Sequence, residues 1–281
     1  MVAAPLGATS STTGLEIQAP SDRGRMKPLL EGRMRRADSA VIGDVHGCSQ
    51  ELEELLEILL ETGRPRRIRL VGDLLTKGPD PAGVVTLIQE ARDAGVDIHS
   101  TCGNHDLRLH QAMLQHRRGM RLDRMARAER ATIERLGTDE RRNEALELLN
   151  ETVKRIRSTA GPATVIHGGI DPVLGLGSTS DHELIHRKAA PGERHWWEEY
   201  DGRDGLIVVG HKRVKAPVHR IGRGRTIAVN VDTGCVAGGR LTAYLVERDE
   251  FVAVESRQIP EVLSDLVVEV PTSIGGIAIA G

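Results

Sequence analysis

The chain has 281 residues, of which 39% are hydrophobic and 28% are charged, as in ordinary globular proteins, and it can bury a sizeable core as one large domain or two small ones. Aromatic residues make up only 2%, so the core must be built from Val, Ile, Leu and Ala. The formal net charge of −2 predicts no general attraction to DNA or to a membrane surface. No apolar run reaches the roughly 18 residues of a membrane span.

The N-terminus and the cysteines indicate where the protein works. The first twenty residues are rich in Ser, Thr, Gly and Ala and lack the charged start and continuous apolar core of a signal peptide. Cys48, Cys102 and Cys235 form no CxxC pair and no plausible disulfide framework. We therefore expect a cytoplasmic protein in which residues 1–37 form a disordered arm.

Apolar runs and helical patterns alternate after the arm. The predicted order is a strand at "SAVIG", a helix at "SQELEELLEILLETG", a strand at "RRIRLVG", a helix at "DPAGVVTLIQEARDAG", a strand at "VDIHSTCG" and a helix at "NHDLRLHQAMLQH". The second helix has an early Pro and a closing Gly, which are typical start and stop signals. This order predicts βαβ crossovers and a largely buried sheet between helices.

The rest of the chain is first helical and then rich in strands. Residues 117–160 carry more Arg than acid and are predicted to be a helical insert. Strands are then predicted at "ATVIHGG", "LIVVGH", "TIAVNVD", "RLTAYLVE" and "FVAVES". We predict an α/β (α+β) fold, a two-sheet β-sandwich flanked by helices. It spans residues 38–260 and is followed by a tail at 261–281.

Polar residues follow five of these apolar strands at the point where each strand ends. They are Asp44 and His46, Asp73, Asn104 and His105, His167, and His211. In open α/β sheets, ligands bind where the carboxyl ends of the strands meet the following loops. Adjacent glycines permit tight turns and close backbone approach. A turn alone explains Gly and Asp, but not histidine at strand ends this often, so the pattern favours a functional site.

The residue types fit a centre with two metal ions. Carboxylate, imidazole and an amide oxygen together suit Mn, Fe, Co or Zn better than Ca. Thiolates are absent from the set, which argues against a structural zinc site. One aspartate can bridge two ions about 3.5–4 Å apart, which would clamp an attacking water and a phosphoryl oxygen. Asp73 is the natural bridge, because it ends its strand without a histidine partner.

The motifs "GDVHG", "GDLLTKGP", "GNHD", "HGG", "GH" and "DTGC" resemble those of the calcineurin-like metallophosphoesterases, in their phosphoprotein-phosphatase branch. The resemblance runs from about residue 40 to 246. It implies that Asp44, His46 and Asp73 hold the first metal. It implies that Asp73, Asn104, His167 and His211 hold the second. The same resemblance makes His105 the residue that protonates the leaving oxygen.

Two departures bear on the substrate. "GNHDL", followed by a helical insert, and "NVDTGCVAGGRLTA" are similar to the symmetrical bis(5'-nucleosyl)-tetraphosphatases and their bacterial relatives. Protein phosphatases of the branch usually read GDxxDRG, whereas this chain has Thr76 and Lys77 in place of the last Asp and Arg. Thr76 stands where the family has the aspartate that orients the acid histidine. Asp106 is next to His105 in sequence, but adjacency alone does not place its carboxylate where it could orient that ring. Lys77 replaces the planar guanidinium group of a phosphate-binding arginine with the single charge of an ammonium group. A lysine at this position resembles a subgroup of nucleotide hydrolases, so it favours nucleotides over phosphoproteins as substrates.

Three weaker candidates lie further along the chain. Arg187 is similar in position to a phosphate-clamping arginine of bacterial members, and a surface salt bridge is the alternative. Asp232 is expected to order its loop near the metals through hydrogen bonds. Asp106 is expected to support the ligands near it in the same way. The Arg-rich insert is either a pair of solvated helices with weak exposed ion pairs or a positive cap that attracts a polyphosphate.

The expected activity is therefore two-metal phosphohydrolysis. A hydroxide bridging two divalent ions attacks phosphorus in line, His105 donates a proton, and Lys77 and Arg187 offset charge. The favoured substrate is a dinucleoside polyphosphate such as diadenosine tetraphosphate, cut centrally into two ADP. The first alternative is a serine/threonine phosphoprotein phosphatase with the same metal chemistry. The second is a nucleotide-binding or scaffold protein with an inactive site, which only Thr76 supports.

Overall fold

Two five-stranded β-sheets form the centre of the fold in the computed structural model, which describes residues 38–62, 65 and 67–259. The strands are β1 (Ser39–Ile42), β2 (Arg67–Leu70), β3 (Asp97–Ser100), β4 (Ser158–Ala160), β5 (Ala163–Val165), β6 (Leu206–Val209), β7 (Val218–Gly222), β8 (Arg225–Asn230), β9 (Arg240–Leu245) and β10 (Glu250–Glu255). The helices are α1 (Ser49–Thr62), α2 (Pro81–Asp93), α3 (Asn104–Arg117), α4 (Arg127–Leu136), α5 (Asp139–Thr152), α6 (Asp181–His186) and α7 (Trp196–Glu199).

The first sheet has the order β10-β9-β1-β2-β3. β1, β2 and β3 run parallel, joined through α1 and α2, and this arrangement confirms the predicted βαβ crossovers. β9 pairs antiparallel with β1 and β10. α2 begins where the sequence predicts, because Asp80 accepts a hydrogen bond from the Gly83 N–H at 2.9 Å and Pro81 occupies the first turn.

The second sheet has the order β4-β5-β6-β8-β7. Its three central strands, β5, β6 and β8, are parallel, and the antiparallel strands β4 and β7 form its edges. The carboxyl ends of the parallel strands in both sheets lead into the loops that carry the predicted site residues, so both sheets contribute to one centre.

Strand side chains alternate between two apolar layers, as their twofold periodicity requires. Val41 packs between the sheets with Val165, Val208 and Tyr244, whereas its neighbour Ile42 faces the helices on the other side of the first sheet. The outer face of the second sheet is covered by a separate cluster around Trp196, Trp197 and Tyr200. The predicted two-sheet sandwich flanked by helices is therefore confirmed.

The insert predicted for residues 117–160 contains α4 and α5, and its last three residues form the edge strand β4. Ile133, Leu136, Leu146 and Leu149 are buried in the same apolar cluster as α1, α2 and α3. The two helices therefore extend the helical layer on the first sheet. The predicted arm at 1–37 lies outside the described residues, as does the predicted tail at 261–281. Among the described helices, none has the length and apolar character needed to span a membrane.

Candidate metal centre

Asp73 lies between two sets of metal-ligating side chains. Its Oδ2 is 3.5 Å from Nε2 of His46, and its Oδ1 is 3.4 Å from Nε2 of His167. One set is His46, Asp73 and His105, and the other is Asp73, His167 and His211; within each set the donor atoms lie within 4.8 Å of one another. Asp73 belongs to both sets, which is the position that a bridging carboxylate needs.

The two histidines of the second set have one ring nitrogen engaged with the backbone. His167 Nδ1 is 2.8 Å from the Val71 carbonyl oxygen, and the His211 ring makes a hydrogen bond with the His186 backbone. Nε2 of His167 faces Asp73 and also Oδ1 of Asn104, at 3.2 Å. A backbone bond of this kind fixes the tautomer and orientation of a metal-binding imidazole.

Nε2 of His211 is the clearest sign that the centre fits a cation. It is buried and has no hydrogen-bond partner, although an unpaired buried polar atom costs free energy. A divalent cation in the second set would satisfy this nitrogen. With its carboxylate, imidazole and amide donors, the centre fits a borderline divalent metal.

Asp44 lies beside the two sets without belonging to either of them. Its Oδ1 and Oδ2 are 3.1 and 3.2 Å from the His211 backbone nitrogen, which donates to them. Burial, followed by the charge of Asp232 and with a further contribution from Asp73, raises the pKa of Asp44 well above its ordinary value. The repulsion among these carboxylates would be relieved by bound cations.

Four of the predicted site residues have left-handed backbone conformations. The φ angles are 50° at His46, 55° at Asp73, 75° at Lys77 and 65° at His211. Such angles are costly for residues other than glycine and tend to occur at functional sites. At Gly103, a Cβ would clash with Oδ1 and the backbone nitrogen of Asp73, so the close approach of the loops requires glycine there.

Asp106 holds the loops after β2 and β3 together. Its carboxylate is fully buried and accepts three backbone N–H bonds, from Asp73 at 2.7 Å, Leu74 at 2.8 Å and Gly103 at 3.0 Å. Burial, with the charge of Asp73 next, raises its pKa to about 6. Because these backbone donors engage both carboxylate oxygens, Asp106 positions Asp73 rather than orienting the His105 ring.

The His105 ring is oriented by a residue that the sequence did not single out. Arg108 Nη2 is 2.6 Å from Nδ1 and 3.1 Å from Nε2 of His105. Arg108 Nε is 3.4 Å from Oε1 of Glu129, a buried residue of α4. The only sequence signal was the i,i+3 spacing of His105 and Arg108 on α3. Thr76, expected to affect His105, instead places its hydroxyl 3.3 Å from Nδ1 of His46.

The histidines of the centre differ in their affinity for protons. Burial is the main factor that lowers the pKa values of His46, His105 and His211, to about 3, 4 and 2. Burial also opposes protonation of His167, but the charge and hydrogen bond of Asp73 outweigh it and raise the pKa of His167 to about 9. Burial likewise opposes ionisation of Asp73, and the same contact with His167 overcomes it, so the pKa of Asp73 is well below its usual value.

The remaining predicted residues lie around the centre. Lys77 is exposed, and its Nζ is 3.0 Å from Nε2 of His46. Arg187 forms an ion pair with Glu183 at 2.7 Å, which is the salt bridge expected as the alternative to phosphate binding. Its backbone nevertheless packs against Gly168, the residue after His167. Asp232 is buried, and its Oδ1 accepts the Gly234 N–H at 3.0 Å, so it orders its own loop.

Comparisons with known proteins agree with this geometry. A family model described as calcineurin-like phosphoesterase matches residues 39–244. The asymmetrical bis(5'-nucleosyl)-tetraphosphatase PrpE of Halalkalibacterium halodurans is 30% identical over 241 residues, 78% of this chain and 94% of that protein. The protein of the same name from Oceanobacillus iheyensis is 29% identical over 240 residues, which cover 78% of this chain and 92% of that protein.

A solved structure shows the same fold at lower sequence identity. The solved protein is provisionally described as a diadenosine tetraphosphatase. It matches this chain with a TM-score of 0.58 and 22% sequence identity, and the match covers 78% of this chain and 94% of the solved chain. Calcineurin-like metallophosphoesterases bind two divalent metal ions, and the two donor sets around Asp73 agree with that requirement. The chain therefore belongs to the calcineurin-like phosphoesterase family and is a metal-dependent phosphoesterase.

Proposed function

We propose that this protein hydrolyses a phosphoanhydride bond of a dinucleoside polyphosphate, with diadenosine tetraphosphate as the favoured substrate. The observation that carries the proposal is the position of Asp73, shared by two sets of metal-ligating side chains. The substrate class is supported by the relatives, which are named as bis(5'-nucleosyl)-tetraphosphatases.

The metal ions would be held as the sequence predicts. Asp44, His46 and Asp73 would hold one divalent ion, and Asp73, Asn104, His167 and His211 would hold the other. When bound, Mn, Fe, Co or Zn would polarise the phosphoryl oxygen and make water a better nucleophile. Lys77 would leave Nε2 of His46, which it contacts, and its ammonium would then be available to the phosphate chain.

His105 is suited to an anhydride substrate. Nη2 of Arg108 lies 2.6 Å from Nδ1 and 3.1 Å from Nε2 of His105, and the positive charge of Arg108 opposes protonation of the ring. A neutral imidazole is a weak acid, and the pKa of about 4 means that His105 is neutral at pH 7. A nucleotide phosphate leaves as a weakly basic anion and needs little protonation, whereas a serine alkoxide needs much more. This difference favours a phosphoanhydride over a phosphoserine ester.

Positive side chains at the edge of the centre match a chain of phosphates. Lys77 and Arg108 contact His46 and His105, and Arg135 of α4 reaches the Lys77 carbonyl at 3.5 Å. A polyphosphate carries several negative charges close together, so it gains more from such a group of cations than a single phosphate ester does. The insert thus contributes to substrate attraction through α4.

The position of the cut is a further part of the proposal. The sequence led us to expect central cleavage to two ADP, but the relatives are named asymmetrical tetraphosphatases. We therefore propose an off-centre cut that gives AMP and ATP. Central cleavage remains the alternative, and the products distinguish the two.

The test is turnover by purified full-length protein loaded with Mn²⁺. Diadenosine tetraphosphate and a phosphothreonine peptide are compared by kcat/KM, with Asp73→Asn run beside the wild type to exclude contaminants. We expect faster nucleotide turnover, AMP and ATP as products, and loss of activity in the variant. Faster peptide turnover would make this a phosphoprotein phosphatase, and no turnover of either by protein that binds two ions would refute the proposed substrate class.

A further inference from the structure

Three buried side chains outside the candidate metal centre converge on one point. Cys48, Glu51 and Cys235 are 0%, 1% and 1% exposed, and their two sulfurs and a carboxylate oxygen of Glu51 lie within 4.8 Å of one another. We refer to these three residues as the thiol–carboxylate cluster. The spacing of the cysteines predicts no disulfide framework, and none of the three residues takes part in the proposed hydrolysis.

The carboxylate of Glu51 has one oxygen that nothing else explains. Oε1 accepts hydrogen bonds from the Arg257 backbone N–H at 2.7 Å and from Nε2 of Gln258 at 3.1 Å. Oε2 is buried and has no hydrogen-bond partner. The Arg257 side chain pairs with Glu54 instead, at 2.7 Å. A buried carboxylate oxygen without a partner is costly, and two thiols beside it supply no positive charge.

We propose that the thiol–carboxylate cluster binds one thiophilic divalent cation, with Zn²⁺ as the favoured ion. Thiolate and carboxylate oxygen are both zinc ligands, and two thiolates are the soft donors that select zinc over Mg²⁺ or Mn²⁺. Binding replaces the two thiol protons, which are released as the two sulfur–metal bonds form. The cation also gives Oε2 of Glu51 the partner it lacks.

A disulfide between the two cysteines accounts for less of the structure. Joining the sulfurs would leave Oε2 of Glu51 buried and unpartnered, so the carboxylate would have no role. The position of Glu51 therefore decides between the two possibilities.

The location of the cluster indicates a structural role. Cys48 comes directly after the loop that carries Asp44 and His46, and Cys235 begins a short 3₁₀ turn after the loop of Asp232. A cation at the cluster would tie these two loops together behind the candidate metal centre. It is a different site from that centre, because no residue is shared between them.

The test uses Co²⁺ as a spectroscopic substitute for Zn²⁺. Full-length, reduced, metal-free protein is titrated with Co²⁺ while the near-ultraviolet sulfur-to-cobalt charge-transfer absorption is recorded. Only thiolate ligands give this absorption, so Co²⁺ at histidine and aspartate does not contribute. We expect the band to reach the intensity of one thiolate-bound Co²⁺ per chain, with Co²⁺ at the candidate metal centre adding nothing to it, and to disappear when Zn²⁺ is added.

Three variants identify the ligands. Cys235→Ser should abolish the band, and Glu51→Gln should weaken cobalt binding at this site by at least about tenfold. Cys102→Ser is the matched control, because Cys102 is a buried cysteine outside the cluster, and it should leave the band unchanged. If Cys235→Ser does not fold, the wild-type spectrum and Glu51→Gln still decide.

Two results would overturn the proposal. One is the absence of the band at saturating Co²⁺ in protein whose three thiols are all counted as reduced after denaturation. The other is an intact mass two hydrogen atoms lower than the reduced chain, with Cys48 and Cys235 joined in one peptide after digestion, since that would identify a disulfide.

Discussion

Replacing Asp106 by Asn tests whether one buried carboxylate positions Asp73. Oδ2 of Asp106 accepts the Asp73 and Gly103 N–H groups, and Oδ1 accepts that of Leu74. An Asn side chain has one oxygen, so its best orientation keeps the first two bonds and turns its NH₂ group towards the Leu74 N–H. One buried backbone donor is then unpaired, at a cost of about 1–3 kcal/mol, and the two remaining bonds lose their charge.

The unpaired donor lowers the free energy of unfolding by about 1–3 kcal/mol, but Asn also removes the burial of a charge and the repulsion from Asp73 that raise the pKa of Asp106, so the net loss is smaller than this figure. Since Asp73 lies in both donor sets, we also expect the affinity for Mn²⁺ to fall by about 10- to 100-fold. Urea unfolding of the metal-free protein measures the first effect, and calorimetric titration with Mn²⁺ measures the second. Both are done at pH 7.5, where Asp106 is ionised because its pKa is about 6.

Asp204→Asn is a suitable control, because Asp204 also accepts a backbone N–H, from Leu176 at 2.9 Å, but lies on the surface. Its urea midpoint and Mn²⁺ affinity should match those of the wild type. If Asp106→Asn behaves in the same way as this control, the carboxylate does not hold the two loops, and the account of how Asp73 is positioned is wrong.

Three other predictions concern the same loops. In metal-free protein, the raised pKa of His167 contributes roughly 3 kcal/mol of stability, which is complete below pH 6.5 and is lost as the pH rises through about 9. Melting temperatures across pH 6–10 should show this decline. An equal decline in His167→Gln would contradict the prediction. Gly103→Ala should lower the urea midpoint, since its Cβ would meet Oδ1 of Asp73; an unchanged midpoint would refute the close approach. Arg108→Gln should raise the pKa of His105 in an NMR titration by removing one of the cations that lower it, and an unchanged pKa would show that Arg108 does not act on that ring.

The general arrangement of the candidate metal centre could be predicted from the sequence. Alternating apolar residues fix which strands are buried, and the polar residues directly after them must then emerge at the carboxyl ends of parallel strands. Asp73 could be chosen as the shared carboxylate because it ends its strand without a histidine partner, and the structure places it between His46 and His167.

Contacts between distant parts of the chain could not be predicted in this way. The orientation of His105 depends on Arg108, whose partner Glu129 comes from the insert, and no periodicity relates α3 to α4. Thr76 was expected to affect His105, because the resemblance placed it where an aspartate orients that ring, but the left-handed turns after β2 bring it to His46 instead.

The thiol–carboxylate cluster was missed for the same reason. Cys48 and Glu51 lie at the start of α1, whereas Cys235 follows β8 in the other sheet, so only the packing of the two sheets brings them together. Counting cysteines and their spacing reveals local ligand motifs, but it does not detect a site whose ligands come from opposite ends of a domain.

The central claim, that Asp73 joins two metal ions into one hydrolytic centre, is tested most directly by counting metals and products together. Wild type and Asp73→Asn are equilibrated with Mn²⁺, the bound metal per chain is measured, and diadenosine tetraphosphate is added. The account predicts two Mn²⁺ per wild-type chain with hydrolysis of the nucleotide, and weaker Mn²⁺ binding without hydrolysis in the variant. Equal metal content and equal turnover in the two proteins would contradict it.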